Sequence, residues 1–380
     1  MWGIAAPLGQ SPRALPHRAD VVIVGGGITG VTLLGLLGQR HVDAVLVERD
    51  QIAAGASGRN AGFLLAGVAE NYARAVHIYG RDVARAVWEF TLENHALTAA
   101  AVERIDAGYQ RRGSLTAALD ASEAACLEEA ATLLVEDGFA AELGGGRGLR
   151  DARLTLFNPA DGEIDPVRLV HGLAVAHSDR IFQHCPVVAV EDGHNSANVG
   201  VDGGGSIEAG AVVVATNGWT AQLLPAVPIR PVRAQMLATA PAAGVVSWPV
   251  YAEWGHRYWR QRDDGVVLVG GFRNRAFADE VGYDGTPTAP IQRCLDSQLS
   301  HLGVEAAVTH RWAGIMGFSD DGLPLVGIVP GCRRVHVCGG YTGHGMGFAI
   351  NAARASVGQL LDSQALPPWL DITRVAALTQ

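Results

Sequence analysis

A glycine-rich turn between two β-forming segments constrains this chain more than any other feature. Residues 20–24 are apolar after the first position, and Gly25-Gly26-Gly27-Ile28-Thr29-Gly30 follows them directly. An amphipathic run and a second β-forming segment at residues 45–48 complete the pattern. The spacing predicts a strand, a tight turn, a helix and a second strand, which is the unit that binds dinucleotides.

The glycines and one acidic residue of this unit each have a physical role. Gly25 allows a sharp exit from a buried strand, Gly27 allows the backbone to approach a pyrophosphate, and Gly30 allows the helix to pack closely on the sheet. The pyrophosphate then lies at the helix N-terminus. Glu48 ends the second strand, where a carboxylate accepts hydrogen bonds from an adenosine ribose. The unit therefore predicts FAD or NAD, although a plain βαβ unit with a tight turn is the alternative.

Length, charge and composition exclude several classes of protein. The 380 residues favour two joined domains over one core. A net charge of −9 without a basic run argues against nucleic-acid binding. Residues 1–19 lack the pattern of a signal peptide and no long uncharged apolar span follows, so we predict a cytoplasmic protein without an integral membrane segment. The five cysteines are scattered without a C-x-x-C pair, so neither a disulfide framework nor a metal site is expected.

Two further segments consist of small residues, which allow the backbone to pass close to a large flat group. Residues 53–63 are small and glycine-rich, with Arg59 as their only charge. The buried-strand pattern of residues 211–214 ends in Ala215-Thr216-Asn217-Gly218, which leaves room for a cofactor above a sheet. A solvated surface turn is the alternative for the first segment.

The middle of the chain departs from the α/β alternation. Residues 82–107 and 122–137 predict amphipathic helices, with a strand between them at 112–119. Residues 231–273 alternate in the manner of antiparallel strands and contain an aromatic window, of which we expect one or two members to line a pocket and the rest to lie in the core. The window comprises Tyr251, Trp254, His256, Tyr258 and Trp259. These sections predict a substrate-binding part inserted into the nucleotide domain.

The C-terminal part repeats the strand, glycine turn and helix arrangement. Residues 335–339 predict a strand, Gly339-Gly340-Tyr341-Thr342-Gly343-His344-Gly345 a turn, and residues 345–361 a helix. Such a turn presents backbone N–H groups and the positive end of a helix dipole, which suits a flavin ring that becomes anionic on reduction. This feature favours FAD over NAD.

Taken in order, these motifs resemble the D-amino-acid oxidase type of flavoprotein, which includes glycine oxidase, monomeric sarcosine oxidase and γ-glutamylputrescine oxidase. The resemblance implies an α/β fold (α+β overall), with a Rossmann-type FAD-binding domain and a second domain built on a mixed, largely antiparallel sheet. It divides the chain into a discontinuous FAD-binding domain at residues 18–80, 150–225 and 305–380, and a substrate-binding domain at 81–149 and 226–304.

The resemblance also implies the chemistry. A hydride leaves the carbon next to the nitrogen of an amine or amino acid for flavin N5, and water hydrolyses the resulting imine. Covalently flavinylated relatives carry a Cys shortly before the segment matching Ser319, or a His in the loop matching residues 57–60, and this chain has neither, so noncovalent FAD is expected. All 29 basic residues are Arg, whereas sarcosine oxidase-like relatives use a lysine near N5 to stabilise developing superoxide. We expect O2 as acceptor, with a quinone or electron-transfer protein as the alternative.

Site residues follow from the same motifs. Expected catalytic residues are Arg59, His344, Tyr258, Arg257 and Arg273; Arg59 and His344 lie nearest the flavin, and Arg257, Arg273 or Arg59 binds a substrate carboxylate, helped by Tyr251 or Tyr258. Expected cofactor contacts are Gly25, Gly27, Ile28, Thr29, Gly30, Glu48, Arg49, Ala56, Ser57, Arg59, Asn60, Ala61, Gly62, Val188, Ala215, Thr216, Asn217, Trp219, Gly314, Gly340, Tyr341, Thr342, Gly343, His344, Gly345 and Met346.

Three other functions are compatible with parts of this pattern. A flavin dehydrogenase of 2-hydroxy acids needs a base for the substrate O–H, for which His256, His310 or His344 could serve. A flavin-binding protein without turnover would retain the cofactor motifs. An NAD-only dehydrogenase has no flavin ring, so the C-terminal glycine turn would have no ligand to bind.

Overall fold

The computed structural model describes residues 14–244 and 246–376, so the prediction for residues 1–19 falls mostly outside the described part. The helices are α1 (Ile28–Gln39), α2 (Ala56–Arg59), α3 (Tyr72–Tyr79), α4 (Arg81–Val102), α5 (Ala121–Glu136), α6 (Pro166–Val175), α7 (Thr220–Leu223), α8 (Ala289–His301), α9 (Gly345–Asp362) and α10 (Thr373–Ala376). The strands are β1 (Arg18–Val24), β2 (Ala44–Val47), β3 (Phe63–Leu64), β4 (Ser114–Ala118), β5 (Glu142–Gly144), β6 (Leu154–Asn158), β7 (Gly162–Glu163), β8 (Ile181–Phe182), β9 (Val187–Glu191), β10 (Ala197–Val201), β11 (Gly205–Val214), β12 (Ile229–Pro241), β13 (Val250–Ala252), β14 (Arg257–Gln261), β15 (Val266–Gly271), β16 (Val308–Ser319), β17 (Leu325–Ile328) and β18 (Val335–Gly339).

The first sheet has a parallel centre in the order β18-β11-β1-β2-β8. Strand β17 adds an antiparallel edge, and the hairpin of β9 and β10 joins through β11. The apolar runs of β1, β11 and β18 are buried on both faces, as expected for central parallel strands. Helices α1 and α9 pack against each other in the core on one face. This arrangement brings the carboxyl ends of β1, β2, β11 and β18, and the turns that follow them, to one edge.

The second sheet has the order β16-β12-β15-β14-β13-β4-β6-β5. Its pairs are antiparallel except β13 with β4, so the predicted mixed, largely antiparallel sheet is confirmed. Strands β6 and β16 belong to it, although both lie in segments assigned to the FAD domain from sequence. Their pairing depends on tertiary contacts, since β16 runs along β12 from Ser319 opposite Ile229 to Val308 opposite Thr239. The division into two domains stays a prediction.

The two predicted central helices are present with bounds that differ by up to five residues, whereas α3, α6 and α8 were not predicted. Helices α4 and α5 correspond to the predictions at 82–107 and 122–137. Helix α3 was not predicted because it is short and only Gly80, at φ +82°, separates it from α4. In the described part of the chain, no helix combines the length and the apolar character needed to cross a bilayer.

Acidification is expected to destabilise this fold. Burial lowers the pKa values of His95, His336 and His344 to about 4, from an ordinary 6.5. Between these values the unfolded chain binds more protons than the folded protein, so the free energy of unfolding falls as the pH falls. Asp161 opposes this trend, because burial raises its pKa to about 7 and the folded protein then holds the extra proton.

For these four groups together the expected loss is roughly 2 kcal/mol per pH unit near pH 5. Urea unfolding at pH 6.5, 5.5 and 5 measures it. The variant His336→Leu should flatten the dependence, because His336 is a buried residue of β18 outside the site described below. An unfolding free energy that stays constant over this range would contradict the prediction.

Candidate active site

A cavity of about 630 Å³, here called the main cavity, is lined by residues of both sheets. One end, here called the nucleotide end, contains the first glycine turn and Glu48. The other, here called the substrate end, contains Tyr258 of the second sheet and Arg273, which follows β15. The loop at α2 and the C-terminal turn form the wall between these ends. A site of this size suits a large organic cofactor together with a small substrate.

The glycine turn has the geometry that the sequence predicts. Gly25 has φ +111°, and a Cβ at this position would lie 2.9 Å from the carbonyl oxygen of Ala215. A Cβ on Gly30 would overlap the carbonyl oxygen of Gly25, so only glycine lets α1 approach the turn. Gly27 is the N-cap residue of α1 and gives it no side-chain cap. The N-cap residue therefore places no side chain between the N-terminus of the helix and the cavity, which leaves room for a pyrophosphate there.

Glu48 lies at the carboxyl end of β2 and lines the main cavity. Its two carboxylate oxygens accept hydrogen bonds from the backbone N–H groups of Gly26, at 2.6 Å, and Asp50, at 2.7 Å. Burial raises the pKa of Glu48. Each oxygen keeps a lone pair, so the carboxylate can still accept hydrogen bonds from ribose hydroxyls.

The loop at α2 is held together by its own polar side chains. Asn60 Nδ2 donates to the carbonyl oxygen of Ser57 at 2.8 Å, and Asn60 Oδ1 accepts from the N–H of Gly62. Arg59 spans two segments, because its Nε donates to the carbonyl oxygen of Ala54 and its Nη1 to that of Ala313 on β16. Two of the five N–H donors of Arg59 are therefore used within the protein.

Hydrogen bonds connect the C-terminal turn to the segments that precede it. Asn217 Oδ1 accepts from the N–H of Gly340 at 3.0 Å. The N–H of Thr342 donates to the carbonyl oxygen of Gly317 at 2.9 Å, and the hydroxyls of Thr29 and Tyr341 lie 2.9 Å apart. Four segments distant in sequence are thereby fixed around the same wall of the main cavity.

His344 is the N-cap residue of α9 and lines the main cavity. Its Nδ1 is buried and has no hydrogen-bond partner among the residues described. Burial lowers the pKa of His344 to about 4, so the imidazole is neutral at pH 7. Its ring lies 5.9 Å from the ring of Tyr251, measured between centroids.

The two tyrosines of the aromatic window face each other across β13 and β14. Tyr251 pairs with Tyr258, and their ring centroids are 5.6 Å apart. A Cβ on Gly270, opposite Tyr258, would overlap that ring, so the glycine makes room for it. Burial raises the pKa values of both tyrosines, which keeps their hydroxyls protonated. Trp254 and His256 also line the cavity, so four residues of the aromatic window line it instead of the one or two expected. Trp259 lies in the core.

Arg273 and Arg257 have different environments, although the sequence offered both as carboxylate ligands. The guanidinium of Arg273 lies between the rings of Phe277 and Phe318, 4.8 Å from each centroid, and lines the main cavity. The described residues give it no carboxylate partner, and burial lowers its pKa. Arg257 instead pairs with Glu253 and is absent from the cavity wall. Of these two arginines, Arg273 is therefore the one available to a ligand in the main cavity.

Most of the other predicted site residues line the main cavity, but several do not. Val188 is exposed, because alternation along β9 turns its neighbour Val187 to the cavity. Gly30, Gly62 and Gly340 are also absent from the wall. His310 is exposed on β16 beside Thr309, away from the cavity. The sequence reasoning missed Gly26, Glu70, Arg74, Val187, Trp254, Met316 and Phe318, which line it.

Comparison with known proteins agrees with this geometry. The model of the DAO family, described as FAD-dependent oxidoreductase, matches residues 20–357. The chain belongs to this family. The resemblance and the fold class inferred from sequence are thus confirmed, and the protein is an FAD-dependent oxidoreductase.

Relatives of known name share the architecture at low identity. Glycine oxidase from Geobacillus kaustophilus is 24% identical over 87% of this chain and 90% of its own length. Its crystal structure superposes with a TM-score of 0.79 at 22% identity, covering 92% of this chain and 96% of that one. L-proline dehydrogenase from P. horikoshii gives 0.80 at 20% identity, covering 96% and 99%. Glycine oxidase from Pseudomonas putida is 33% identical over 36% of this chain, and the match spans 38% of that relative.

FAD is the cofactor of this family, and noncovalent binding is typical of it. The residues present fit the group. The N-terminus of α1, where Ser57 Oγ accepts from the N–H of Ile28, would bind the pyrophosphate. Glu48 would bind the ribose hydroxyls, and the turn before α9 would face the flavin ring. The stacked pair of Arg49 and Trp219, 4.8 Å apart, lines the nucleotide end.

Proposed function

We propose that the protein oxidises the C–N bond of an amine, and specifically of an amino acid, to an imine that water hydrolyses. The observation that carries this proposal is Arg273, a half-buried cation that lines the main cavity without a carboxylate partner among the described residues. An α-carboxylate matches the two-pronged guanidinium. The names glycine oxidase and L-proline dehydrogenase, carried by two relatives, support an amino-acid substrate.

The protein residues position the substrate and control its protonation. Arg273 binds the carboxylate, and the protonated hydroxyls of Tyr251 or Tyr258 donate to it. When bound, FAD supplies hydride acceptance at flavin N5. Hydride departure needs the lone pair of the substrate nitrogen, so the amine must be uncharged. Neutral His344 and the cation of Arg273 lower the pKa of a bound amine, which favours that form. Orientation and an uncharged nitrogen therefore account for the reaction without a dedicated base.

For the electron acceptor we propose O2. A positive charge near the flavin stabilises developing superoxide. In a chain without lysine, Arg59, which contacts Gly314, and Arg273, which lies over Phe318, are arginines of the main cavity that could supply it. A quinone or an electron-transfer protein is the alternative acceptor. The cytoplasmic location stays a prediction from sequence.

The test is anaerobic mixing of the purified flavoprotein with D- and L-amino acids, N-methylglycine, polyamines, γ-glutamyl amines and 2-hydroxy acids, followed by admission of air. We expect amino acids to bleach the flavin absorbance and air to restore it rapidly. Bleaching that persists in air would replace O2 by another acceptor. Bleaching by 2-hydroxy acids alone would overturn the amine assignment, with neutral His344 then a candidate base.

A further inference from the structure

A second cavity of about 90 Å³, here called the side chamber, lies behind the substrate end of the main cavity. Tyr251, Trp254 and His344 line both cavities, so the two are neighbours across these side chains. From there the side chamber extends to Thr116 of β4 and to Asp161, in the turn before β7. Its size suits a side chain of several carbon atoms, and its remaining walls are mostly apolar.

The side chamber is also lined by a carboxyl group that forms no salt bridge in the described part of the chain. Asp161 is 3% exposed, and its Oδ1 accepts from the N–H of Ala66 at 2.9 Å. Its Oδ2 accepts from the hydroxyl of Ser114 at 2.6 Å. A carboxylate has about four acceptor sites, so two remain. Beside it Asn158, 7% exposed, lines the chamber, and its Nδ2 is buried without a hydrogen-bond partner in the described structure.

The charged side chains that line the side chamber are all acidic in the described part of the chain, whereas Arg111, which does not line it, acts on Asp161 through its charge alone. Glu123 also lines it, with Oε2 bonded to the N–H of Leu119 and Oε1 to that of Trp254. Glu70 stands where the two cavities meet and is neutralised by Arg74, which lines the main cavity and not the chamber. A buried carboxylate without a counter-charge is costly.

This environment also affects the titration of Asp161. Burial raises its pKa to about 7, against its hydrogen bonds and the nearby charge of Arg111, so these groups do not fully stabilise its ionised form. A perturbed, unpaired carboxyl group next to an active site indicates a ligand of opposite charge. The apolar walls indicate that this charge is carried at the end of a hydrocarbon chain.

We propose that the side chamber binds the side chain of the substrate and that Asp161 pairs with a protonated amine at its end. This inference rests on the proposed function, in which the carboxylate is bound by Arg273 and the reacting C–N bond lies in the main cavity. The substrate class is then the basic amino acids, whose second nitrogen is not oxidised but anchors the molecule.

A matched series of substrates tests the proposal on the holoenzyme. The series contains lysine, ornithine, the uncharged isostere 2-aminoheptanoate, 2-aminoadipate and glycine, as both enantiomers where they exist. We expect kcat/KM for flavin reduction to be highest for a cationic side chain, exceeding the uncharged isostere roughly tenfold or more. Equal rates for the isostere would overturn the role of Asp161, and turnover of glycine alone would overturn side-chain binding in the chamber. If no amino acid reduces the flavin, the proposed function itself fails.

Two variants separate charge from space. In Asp161→Asn the preference for lysine over 2-aminoheptanoate should fall roughly tenfold, because the amide keeps the shape but not the charge. In Thr116→Leu, which narrows the half-buried wall of β4, the rate ratio of lysine to glycine should fall instead. A lysine preference unchanged in both variants would contradict the proposal.

Ligand binding to the wild-type holoenzyme, measured by thermal unfolding, tests the cation site without the redox reaction and without relying on a variant that folds. Pentylammonium should raise the melting temperature of the wild-type holoenzyme, whereas pentanol at the same concentration should not, because a ligand that binds only the folded state stabilises it. This stabilisation should be lost in Asp161→Asn. Equal effects of the two compounds on the wild type would refute a cation site.

Discussion

Replacing Arg273 by Met is expected to lower kcat/KM for amino-acid substrates about 10³-fold. The guanidinium lies between Phe277 and Phe318 and has no carboxylate partner in the described structure, so a bound carboxylate is its counter-charge. Removing one member of a desolvated charge pair typically costs about 3–5 kcal/mol, because the other charge is left buried and unpaired. Stopped-flow reduction of the flavin at a series of substrate concentrations measures the loss.

Arg257→Met is the matched control for this prediction. Arg257 is also an arginine and is the first residue of β14, but it pairs with Glu253 and does not line the main cavity. We expect it to lower stability more than kcat/KM. A simple alkylamine, which lacks a carboxylate, should lose little rate in Arg273→Met. If Arg257→Met impairs amino acids and Arg273→Met does not, the carboxylate assignment is wrong.

The contrast between these arginines shows where sequence reasoning ends. The glycine turn could be predicted because its chemistry is local: the residues that force the turn, carry the helix and place Glu48 lie within one contiguous unit. The choice between Arg257 and Arg273 could not, because it depends on Phe318 of β16, which packs on Arg273 from a distant segment, and on the turn that brings Glu253 onto Arg257. The sequence reports the charge of a residue but not which neighbour neutralises it.

The side chamber was missed for a related reason. Asp161 lies in a polar turn with no recognisable motif, and such a residue is usually solvated. Its burial arises because α5, β4 and the loop after β3 close over it, each from a different part of the chain. Tyr258 likewise gains its place in the wall because Gly270 on the neighbouring strand leaves space for its ring.

Gly30→Ala is expected to remove FAD binding and to cost about 3 kcal/mol of stability or more, the upper range for overpacking a tightly packed site. A Cβ at this position overlaps the carbonyl oxygen of Gly25 and approaches Ile23 Cγ2 at 3.4 Å. Backbone cannot rotate away as a side chain does, and Gly25 is itself held close to Ala215, since a Cβ on Gly25 would lie 2.9 Å from the carbonyl oxygen of Ala215. Helix α1 must therefore shift, and its N-terminus leaves the position at which it can bind the pyrophosphate.

Gly35→Ala, one and a half turns further along α1, separates this local effect from a general intolerance of the helix. Its Cβ would lie 3.6 Å from His177 Nε2, an ordinary van der Waals distance. Alanine in a helix interior is favoured over glycine by about 0.5–1 kcal/mol, so this variant should bind FAD and unfold at equal or higher urea concentration. The measurement is the FAD retained per polypeptide after gel filtration, together with urea unfolding of both variants. Full flavin content in Gly30→Ala would mean that the contact between α1 and the turn does not position the cofactor, and the pyrophosphate would have to be held by the loop at α2 instead.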